Sequence, residues 1–169
     1  MKARAVFLVG FMASGKSSVG RELARRLKWE FVDLDARIEA REGQTIPEIF
    51  RALGEAGFRK AEENALRDLL AESAERNRVV ALGGGAFAQS SNRELLRDWP
   101  SVFLEASTDE LWRRSLLDGI ERPLRGAADE FAALHAKRLP FYRQARVAID
   151  TNGKPVESIC VEIERALLL

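Results

Sequence analysis

The chain has 169 residues, enough for one domain that buries a core without disulfides or a structural metal. Its 27 basic and 26 acidic side chains leave a net charge of +1, so no overall field favours nucleic acid or a membrane surface. There is one cysteine, Cys160, and no apolar run approaches the roughly 18 residues of a membrane span. We therefore expect a cytoplasmic protein with neither nucleic-acid nor membrane partners.

Strand-like and helix-like runs alternate along the chain, which is typical of an α/β fold with a parallel sheet. The first strand is continuously apolar, as expected for a central strand covered on both faces. The segment 36–76 contains helical patterns only, and a helix beginning near Thr45 has a capping box with Glu48. The expected strands are 5–9, 29–33, 78–82, 101–105 and 146–150. The expected helices include 16–27, 58–75, 91–98, 108–117, 129–144 and 155–168, with Cys160 on the apolar stripe of the last.

The strongest motif, G-x-x-x-x-G-K-[ST], spans residues 10–17, between the first strand and the first helix. Its glycines allow a tight turn whose N–H groups surround a phosphate, and the helix N-terminus adds partial positive charge. We expect Lys16 to contact the β- and γ-phosphates of ATP and Ser17 to bind Mg²⁺. A chance match is the alternative, which the flanking strand and helix disfavour. The expected nucleotide contacts in this loop are Gly10, Ala13, Ser14, Gly15, Lys16, Ser17 and Ser18.

The phosphate loop does not by itself define the reaction, because switches, motors and kinases share it. The chain has no Asn-Lys-x-Asp segment of the kind that reads guanine in GTPases. A motor or transporter ATPase is seldom this small. The remaining glycine and arginine features favour a small-molecule kinase.

Two carboxylates, Asp33 and Asp35, lie two residues apart at the end of the second predicted strand. The carboxyl ends of parallel strands face the ligand crevice, so one carboxylate is suited to hold the water shell of Mg²⁺. The other is suited to orient or deprotonate an attacking hydroxyl. Helix capping by Asp35 is the alternative.

Two arginines are candidates for acceptor binding. Arg59 lies at the start of a predicted helix, where positive charge is unfavourable, and Arg138 lies in a cationic and aromatic cluster. Solvated surface positions are the alternative for both. The glycine run 83–85 follows the third strand and suits close approach of a ligand, although a plain turn remains open.

The segment 118–128 is the most loop-like stretch of the chain. Arg122 within it is suited to close over the phosphates while the loop excludes water. An ordinary exposed loop with two solvated arginines, Arg122 and Arg125, is the alternative.

Taken together, these residues resemble the shikimate kinase family over essentially the whole chain. The resemblance rests on the phosphate loop and on Asp33-Leu34-Asp35, Phe58-Arg59, Leu82-Gly83-Gly84-Gly85-Ala86, Arg122-Pro123-Leu124 and Arg138-Leu139-Pro140-Phe141-Tyr142. It implies a three-layer P-loop fold like that of nucleoside monophosphate kinases, with a five-stranded parallel sheet, in a single domain over 1–169. It also implies a helical substrate-binding region over about 34–60 and a lid over about 118–128.

The resemblance implies transfer of the γ-phosphate of ATP to the 3-hydroxyl of shikimate, with Mg²⁺, by an enzyme that is often a monomer. By this likeness Arg59 and Arg138 hold the substrate carboxylate, and Asp35 meets the ring hydroxyls. Lys16, Asp35 and Arg122 are the expected catalytic residues, and Asp33 acts on Mg²⁺ through water. The glycines Gly83, Gly84 and Gly85 line the acceptor pocket, and the residues expected near adenine are Arg114, Asn152, Lys154 and Pro155.

Two departures and two rival functions accompany this resemblance. Ala13 replaces a third loop glycine that is frequent in the family, and Ser18 replaces a commoner threonine. A kinase of another small acid such as gluconate is one rival, which the two arginines disfavour. A non-catalytic sensor of shikimate-like ligands is the other, which the presence of Lys16 disfavours.

Overall fold

The computed structural model describes residues 4–119 and 126–169 and has an α/β fold, as predicted. Helices cover both faces of a five-stranded sheet. The strands are β1 Ala5–Val9, β2 Glu30–Asp33, β3 Arg78–Ala81, β4 Ser101–Glu105 and β5 Val147–Asp150. The helices are α1 Lys16–Leu27, α2 Leu34–Glu42, α3 Ile46–Glu72, α4 Ser90–Leu95, α5 Thr108–Leu117, α6 Ala128–Tyr142 and α7 Val156–Leu167.

The strand order is β2-β3-β1-β4-β5, and every paired strand is parallel. In the register of the centre, Phe7 of β1 lies opposite Val80 of β3 and Ser101 of β4. In the sheet, β2 and β3 thus lie on one side of β1, and β4 and β5 lie on the other side. Ligands of open α/β sheets bind beyond the carboxyl ends of the strands, at the point where the strand order reverses. The phosphate loop follows the carboxyl end of β1 and therefore lies at this point.

Side chains of β1 alternate between two cores because successive strand residues point to opposite faces. Phe7 belongs to the larger core beneath α2 to α6. Val6 and Leu8 belong to the smaller core, where α1 and α7 pack together. Cys160 is fully buried in this second core, as its position on the apolar stripe predicted.

Helix α3 contains the two predicted helices, one starting near Thr45 and one predicted over 58–75, but they meet directly at a kink and the second ends at Glu72. The capping box is present, since Thr45 Oγ1 accepts from Glu48 N–H and Glu48 Oε2 accepts from Thr45 N–H. From there one helical element continues to Glu72, interrupted at Gly54, where φ is 67° and ψ is −176°. The predicted break is therefore a kink at one glycine.

Within residues 4–119 and 126–169, the structure contains no helix with both the length and the apolar character needed to cross a bilayer.

Candidate active site

The phosphate loop turns sharply between β1 and α1. Gly15 has φ of 94° and is the N-cap of α1, a conformation that glycine adopts without steric cost. A Cβ at Gly10 would lie 2.6 Å from Ser14 Oγ, so this position has no room for a side chain. Gly15 is thus favoured by its backbone conformation, and Gly10 by the close approach of Ser14 and of the Leu104 carbonyl oxygen.

Ala13 occupies the position of the missing third loop glycine and has a backbone conformation that favours glycine. Its φ is 65°, in the left-handed region that costs an L-residue roughly 1–2 kcal/mol. The loop therefore has the backbone shape that a glycine would favour, and the methyl group adds local strain to it.

Lys16 lies folded over its own loop. Its Nζ donates to the carbonyl oxygens of Gly10 and Phe11, at 2.7 and 3.0 Å. These contacts hold the ammonium group beside the loop amides, next to the place where the motif binds phosphates.

The residues predicted for Mg²⁺ fit a metal that retains most of its water. Ser17 is partly exposed at the N-terminus of α1, and its hydroxyl makes no hydrogen bond to a described residue. The described residues contain no group of three or more His, Cys, Asp or Glu side chains that could hold a metal. Mg²⁺ typically takes one or two protein ligands together with substrate phosphates and waters, so the donor set is compatible with it.

Asp33, not Asp35, caps α2. Its Oδ1 accepts hydrogen bonds from the backbone N–H groups of Asp35 at 2.9 Å and Ala36 at 3.3 Å. The alternative role for Asp35 as a helix cap is therefore wrong. Asp33 keeps its second carboxylate oxygen for water or metal-bound water, because Oδ1 makes both capping bonds.

Asp35 directs a buried carboxylate oxygen at the glycine run. Its Oδ1 is buried, has no hydrogen-bond partner, and lies 2.8 Å from where a Cβ at Gly83 would be. Burial, followed by repulsion from Asp33, raises the pKa of Asp35 to about 6. A carboxyl with a pKa near the working pH and an unfilled acceptor site is suited to receive a proton from a bound hydroxyl.

Arg59 and Glu62 form an ion pair on α3 beside this carboxylate. Arg59 Nη1 lies 3.0 Å from Glu62 Oε1, and the Glu62 side chain is fully buried. Burial raises the pKa of Glu62 to about 7, although the charge of Arg59 opposes that shift. A Cβ at Gly85 would collide with the Arg59 guanidinium, so glycine is required for this approach.

Arg138 of α6 presents a second guanidinium group at the same turn. It is 7% exposed, its Nη1 lies 3.5 Å from where a Cβ at Gly84 would be, and it forms no ion pair within the described parts of the chain. Its guanidinium also lies over the ring of Phe11, 5.8 Å from the centroid. A buried cation without a carboxylate partner is costly in isolation, which indicates a site for an anion.

The glycine run joins the two halves of the site. The Met12 backbone nitrogen lies 3.5 Å from where a Cβ at Gly84 would be, so the phosphate loop touches the turn that meets Asp35, Arg59 and Arg138. The predicted acceptor residues are thus brought together beside the predicted nucleotide residues.

The residues predicted near adenine meet at the other side of the phosphate loop. Arg114 of α5 donates to Glu110 at 2.9 Å and, at 3.2 Å, to both the hydroxyl and the carbonyl of Thr151. Asn152 follows directly and accepts from the backbone N–H of Ser107. The segment that contains Pro155 is thereby fixed against α5, whereas the Lys154 ammonium pairs with Glu162 of α7 at 2.9 Å.

Some of the predicted site residues are not part of the arrangement described above. Arg122, Arg125 and most of the predicted lid over 118–128 lie outside the described residues, which omit 120–125. Ser18 is exposed on the first turn of α1.

Two residues of the site were missed by reasoning from the sequence. Glu62 lies four residues after Phe58 and four before Leu66, so its position on the buried stripe of α3 was a readable signal. Tyr142 lies one helical turn after Arg138, and its hydroxyl donates to the carbonyl oxygen of Gly84. Burial raises the pKa of this phenol to about 12, so it remains a donor that holds the glycine run in place.

The fold and the site together define a P-loop kinase, with a phosphate loop next to a pocket that contains two guanidinium groups and a buried carboxylate. The family model described as shikimate kinase matches residues 12–168. The chain belongs to the shikimate kinase family and is an ATP-dependent kinase.

Similar proteins agree with this assignment. A shikimate kinase of Thermus thermophilus is 42% identical over 166 residues, covering 96% of this chain and 89% of the relative. One of Bordetella avium is 44% identical over 159 residues, covering 91% and 74%. The solved shikimate kinase of Acinetobacter baumannii in complex with shikimate has a TM-score of 0.89 and 36% identity, covering 98% and 93%. A gluconokinase of Sinorhizobium meliloti, with a TM-score of 0.65 and 23% identity, shares the fold alone.

Proposed function

We propose that the chain transfers the γ-phosphate of ATP to the 3-hydroxyl of shikimate, with Mg²⁺, and that the residues described above carry out this reaction. The observation that carries the acceptor side is the convergence on the glycine run 83–85 of two guanidinium groups and two unpartnered carboxylate oxygens, Asp35 Oδ1 and Glu62 Oε2. Arginine forks match the planar geometry of a carboxylate, and a carboxylate oxygen accepts from a hydroxyl.

In this proposal, Arg138 and Arg59 bind the carboxylate of the acid, and Glu62 holds Arg59 in position. Arg138 needs no rearrangement because it has no competing ion pair within the described parts of the chain. Asp35 Oδ1 accepts a hydrogen bond from the attacking hydroxyl and orients its oxygen toward the phosphate loop. Positioning of this kind supplies most of the catalysis of phosphoryl transfer.

The reaction forms a bond between the acceptor oxygen and the γ-phosphorus and breaks the bond from that phosphorus to the β–γ bridging oxygen. The hydroxyl proton passes to Asp35 and then to solvent, and ADP leaves with the bridging oxygen. Lys16 and the amides of residues 10–17 stabilise the negative charge on the phosphates. Bound Mg²⁺ supplies further charge neutralisation, with Ser17 as a ligand and Asp33 on its waters. Arg122 is proposed to reach the phosphates from the lid.

The remaining parts of the proposal concern the nucleotide and the molecule as a whole. Arg114, Asn152 and Pro155 flank adenine, with Lys154 as a further contact. The chain acts as a single-domain monomer in the cytoplasm, with a substrate-binding region over about 34–60 and a lid over about 118–128.

An acceptor panel tests this function directly. ADP release is measured with ATP, Mg²⁺ and either shikimate, gluconate, quinate or no acceptor. We expect turnover with shikimate and only background release with gluconate. Turnover with gluconate but not with shikimate would overturn the proposed substrate, and binding of shikimate without any phosphate ester would indicate a sensor.

A further inference from the structure

A second cavity lies away from the phosphate loop, beside α4. Its volume is about 500 Å³, within the roughly 300–1,000 Å³ of small-ligand pockets. Its walls come from α4 and the following turn, from the start of β4, and from the segment between α6 and β5. None of the residues that line it belongs to the site described above.

Three arginines line this cavity against one acidic side chain, Glu94. Arg146 is exposed, and its guanidinium group has no hydrogen-bond or ion-pair partner among the described residues. Arg97 pairs with Glu94, but both side chains are more than 60% exposed, at 69% and 63%, and such pairs contribute little. Both cations are therefore available to an incoming anion.

Arg93 adds a third positive charge, and no carboxylate of the described residues forms an ion pair with it. Its Nη1 donates to the carbonyl oxygens of Phe87 and Ala88, at 2.9 and 2.8 Å, and its guanidinium lies 4.7 Å from the Phe141 ring centroid. These contacts fix the position of the cation without cancelling its charge. The cavity thus carries a clear excess of positive charge in a chain whose net charge is only +1.

Two aromatic residues also line the cavity. Phe87 is buried, whereas Trp99 is partly exposed and is held edge-on to Phe7, with ring centroids 5.9 Å apart. An inorganic anion would pair with the arginines but would leave the Trp99 ring uncovered and most of the volume unfilled. A ligand with a planar ring and carboxylate groups fits both the arginines and the aromatic wall. A guanidinium group binds a carboxylate through two parallel hydrogen bonds, and aromatic faces pack against each other.

We propose that the cavity beside α4 binds a small planar organic carboxylate, at a site separate from the nucleotide and acceptor pockets. Phthalate is a suitable probe, since it combines a flat ring with two adjacent carboxylates. Binding is measured by isothermal titration calorimetry at pH 8 without nucleotide or shikimate. The result therefore does not depend on the proposed function.

We expect one saturable site with a Kd of about 1 mM or lower. The double variant Arg97→Gln, Arg146→Gln should raise the Kd for phthalate at least about tenfold, because two charge-assisted contacts are lost. The matched control is the double replacement of Arg76→Gln and Arg165→Gln, two exposed arginines outside the cavity, which should leave the Kd unchanged. Arg93 is kept in all variants because it fixes the backbone of residues 87 and 88.

A second measurement locates the ligand. Phthalate should quench tryptophan fluorescence in the wild-type chain, and Trp99→Phe should remove this signal while binding heat persists. Inorganic phosphate should bind at least about tenfold more weakly than phthalate, since it leaves the Trp99 ring uncovered. The proposal is overturned by no binding up to about 20 mM, by an unchanged Kd in the Arg97 and Arg146 variant, or by phosphate binding as tightly as phthalate.

Discussion

Lys16 binds the carbonyl groups of its own loop, so its ammonium group is already positioned before a phosphate arrives. We predict that Lys16→Met lowers kcat by about 10²–10³-fold, because a cation that stabilises charge in the transition state is lost. Steady-state kinetics with saturating ATP and shikimate measure this effect. Lys28→Met is the matched control, since Lys28 is exposed at the far end of α1, and its kcat should equal that of the wild type.

Asp35 gives a prediction about pH. Because its pKa is raised to about 6 and the reaction needs the ionised form, kcat/KM for shikimate should be constant above about pH 8 and fall at least about tenfold per unit below pH 6, with protonation of Glu62 near pH 7 adding to the fall. Asp35→Asn should retain ATP binding, lose most turnover and make the fall below pH 6 shallower. Asp98→Asn, an exposed change elsewhere, should reproduce the wild-type curve. Normal turnover in Asp35→Asn would contradict a role as base.

At the scale of elements, the kink in α3 sets the angle between the part of the helix before Gly54 and the part after it, which carries Arg59 and Glu62. Phe50 precedes Gly54 and Phe58 follows it, and their ring centroids are 4.7 Å apart. A straight helix would separate these rings, so their contact depends on the angle at Gly54.

We predict that Gly54→Ala lowers the free energy of unfolding by about 1–3 kcal/mol, because φ of 67° with ψ of −176° strongly disfavours a Cβ. The KM for shikimate should rise several-fold, and the KM for ATP should stay near the wild-type value. Denaturant titration and steady-state kinetics measure the two effects.

The control for this change is Gly43→Ala, at the end of α2, where φ is 66° and an added Cβ meets nothing within 4 Å. It should destabilise the chain without changing either KM. An unchanged free energy of unfolding and an unchanged KM for shikimate in Gly54→Ala would show that the kink has neither role.

The elements themselves followed from sequence patterns where the local signal was complete. The range of α1, the strands β1 and β4, and the capping box of α3 were predicted correctly because apolar periodicity and cap residues are local. Capping of α2 by Asp35 was only an alternative, and the sequence did not show that Asp33 is the cap, since the backbone angles decide which residue precedes the helix.

On the scale of the whole molecule, two buried carboxyl groups make stability depend on pH. Asp35 and Glu62 have pKa values of about 6 and 7, above the ordinary 3.8 and 4.5, so the folded chain binds their protons more tightly than the unfolded chain. Their contribution to the free energy of unfolding should therefore decrease as pH rises from about 4.5 to 7 and then stay low, whereas His135, whose pKa burial lowers, contributes in the opposite direction. Burial of the ionised carboxylates lowers the free energy of unfolding, because a buried charge loses its hydration. These two side chains therefore serve function rather than stability.

We predict that Glu62→Gln raises the free energy of unfolding at pH 8 by about 1–2 kcal/mol and has little effect at pH 4.5, because glutamine resembles the protonated acid. The same variant should show a higher KM for shikimate, since Arg59 loses its buried ion-pair partner and keeps only the longer contact to the exposed Glu55, at 3.4 Å. Denaturant titrations at both pH values measure the change in stability. Glu63→Gln, whose side chain pairs with Arg67 at the surface, should change stability by less than about 0.5 kcal/mol at either pH. Destabilisation of Glu62→Gln at pH 8 would mean that the ion pair outweighs the cost of burial.

The sequence also predicted which residues meet, but not how they meet. The motif and the carboxyl ends of parallel strands were enough to expect Lys16, Asp35 and the glycine run in one crevice. The Arg59–Glu62 pair joins residues three apart on α3 and was therefore readable from their spacing. The approach of Glu62 and Asp35 to Gly83, and of Arg138 to Gly84, depends on packing between elements far apart in sequence. No local pattern reports these approaches.

The glycine run has a consequence for changing the acceptor of this enzyme. A wall built from Gly83, Gly84 and Gly85 offers no side chain to shorten, and an added methyl group at 83 or 85 would strike Asp35 or Arg59. Only Gly84 has ordinary van der Waals clearance of 3.5 Å. Efforts to redesign the enzyme for larger hydroxy acids must therefore change the side chains that face this turn, because the turn itself is bare main chain.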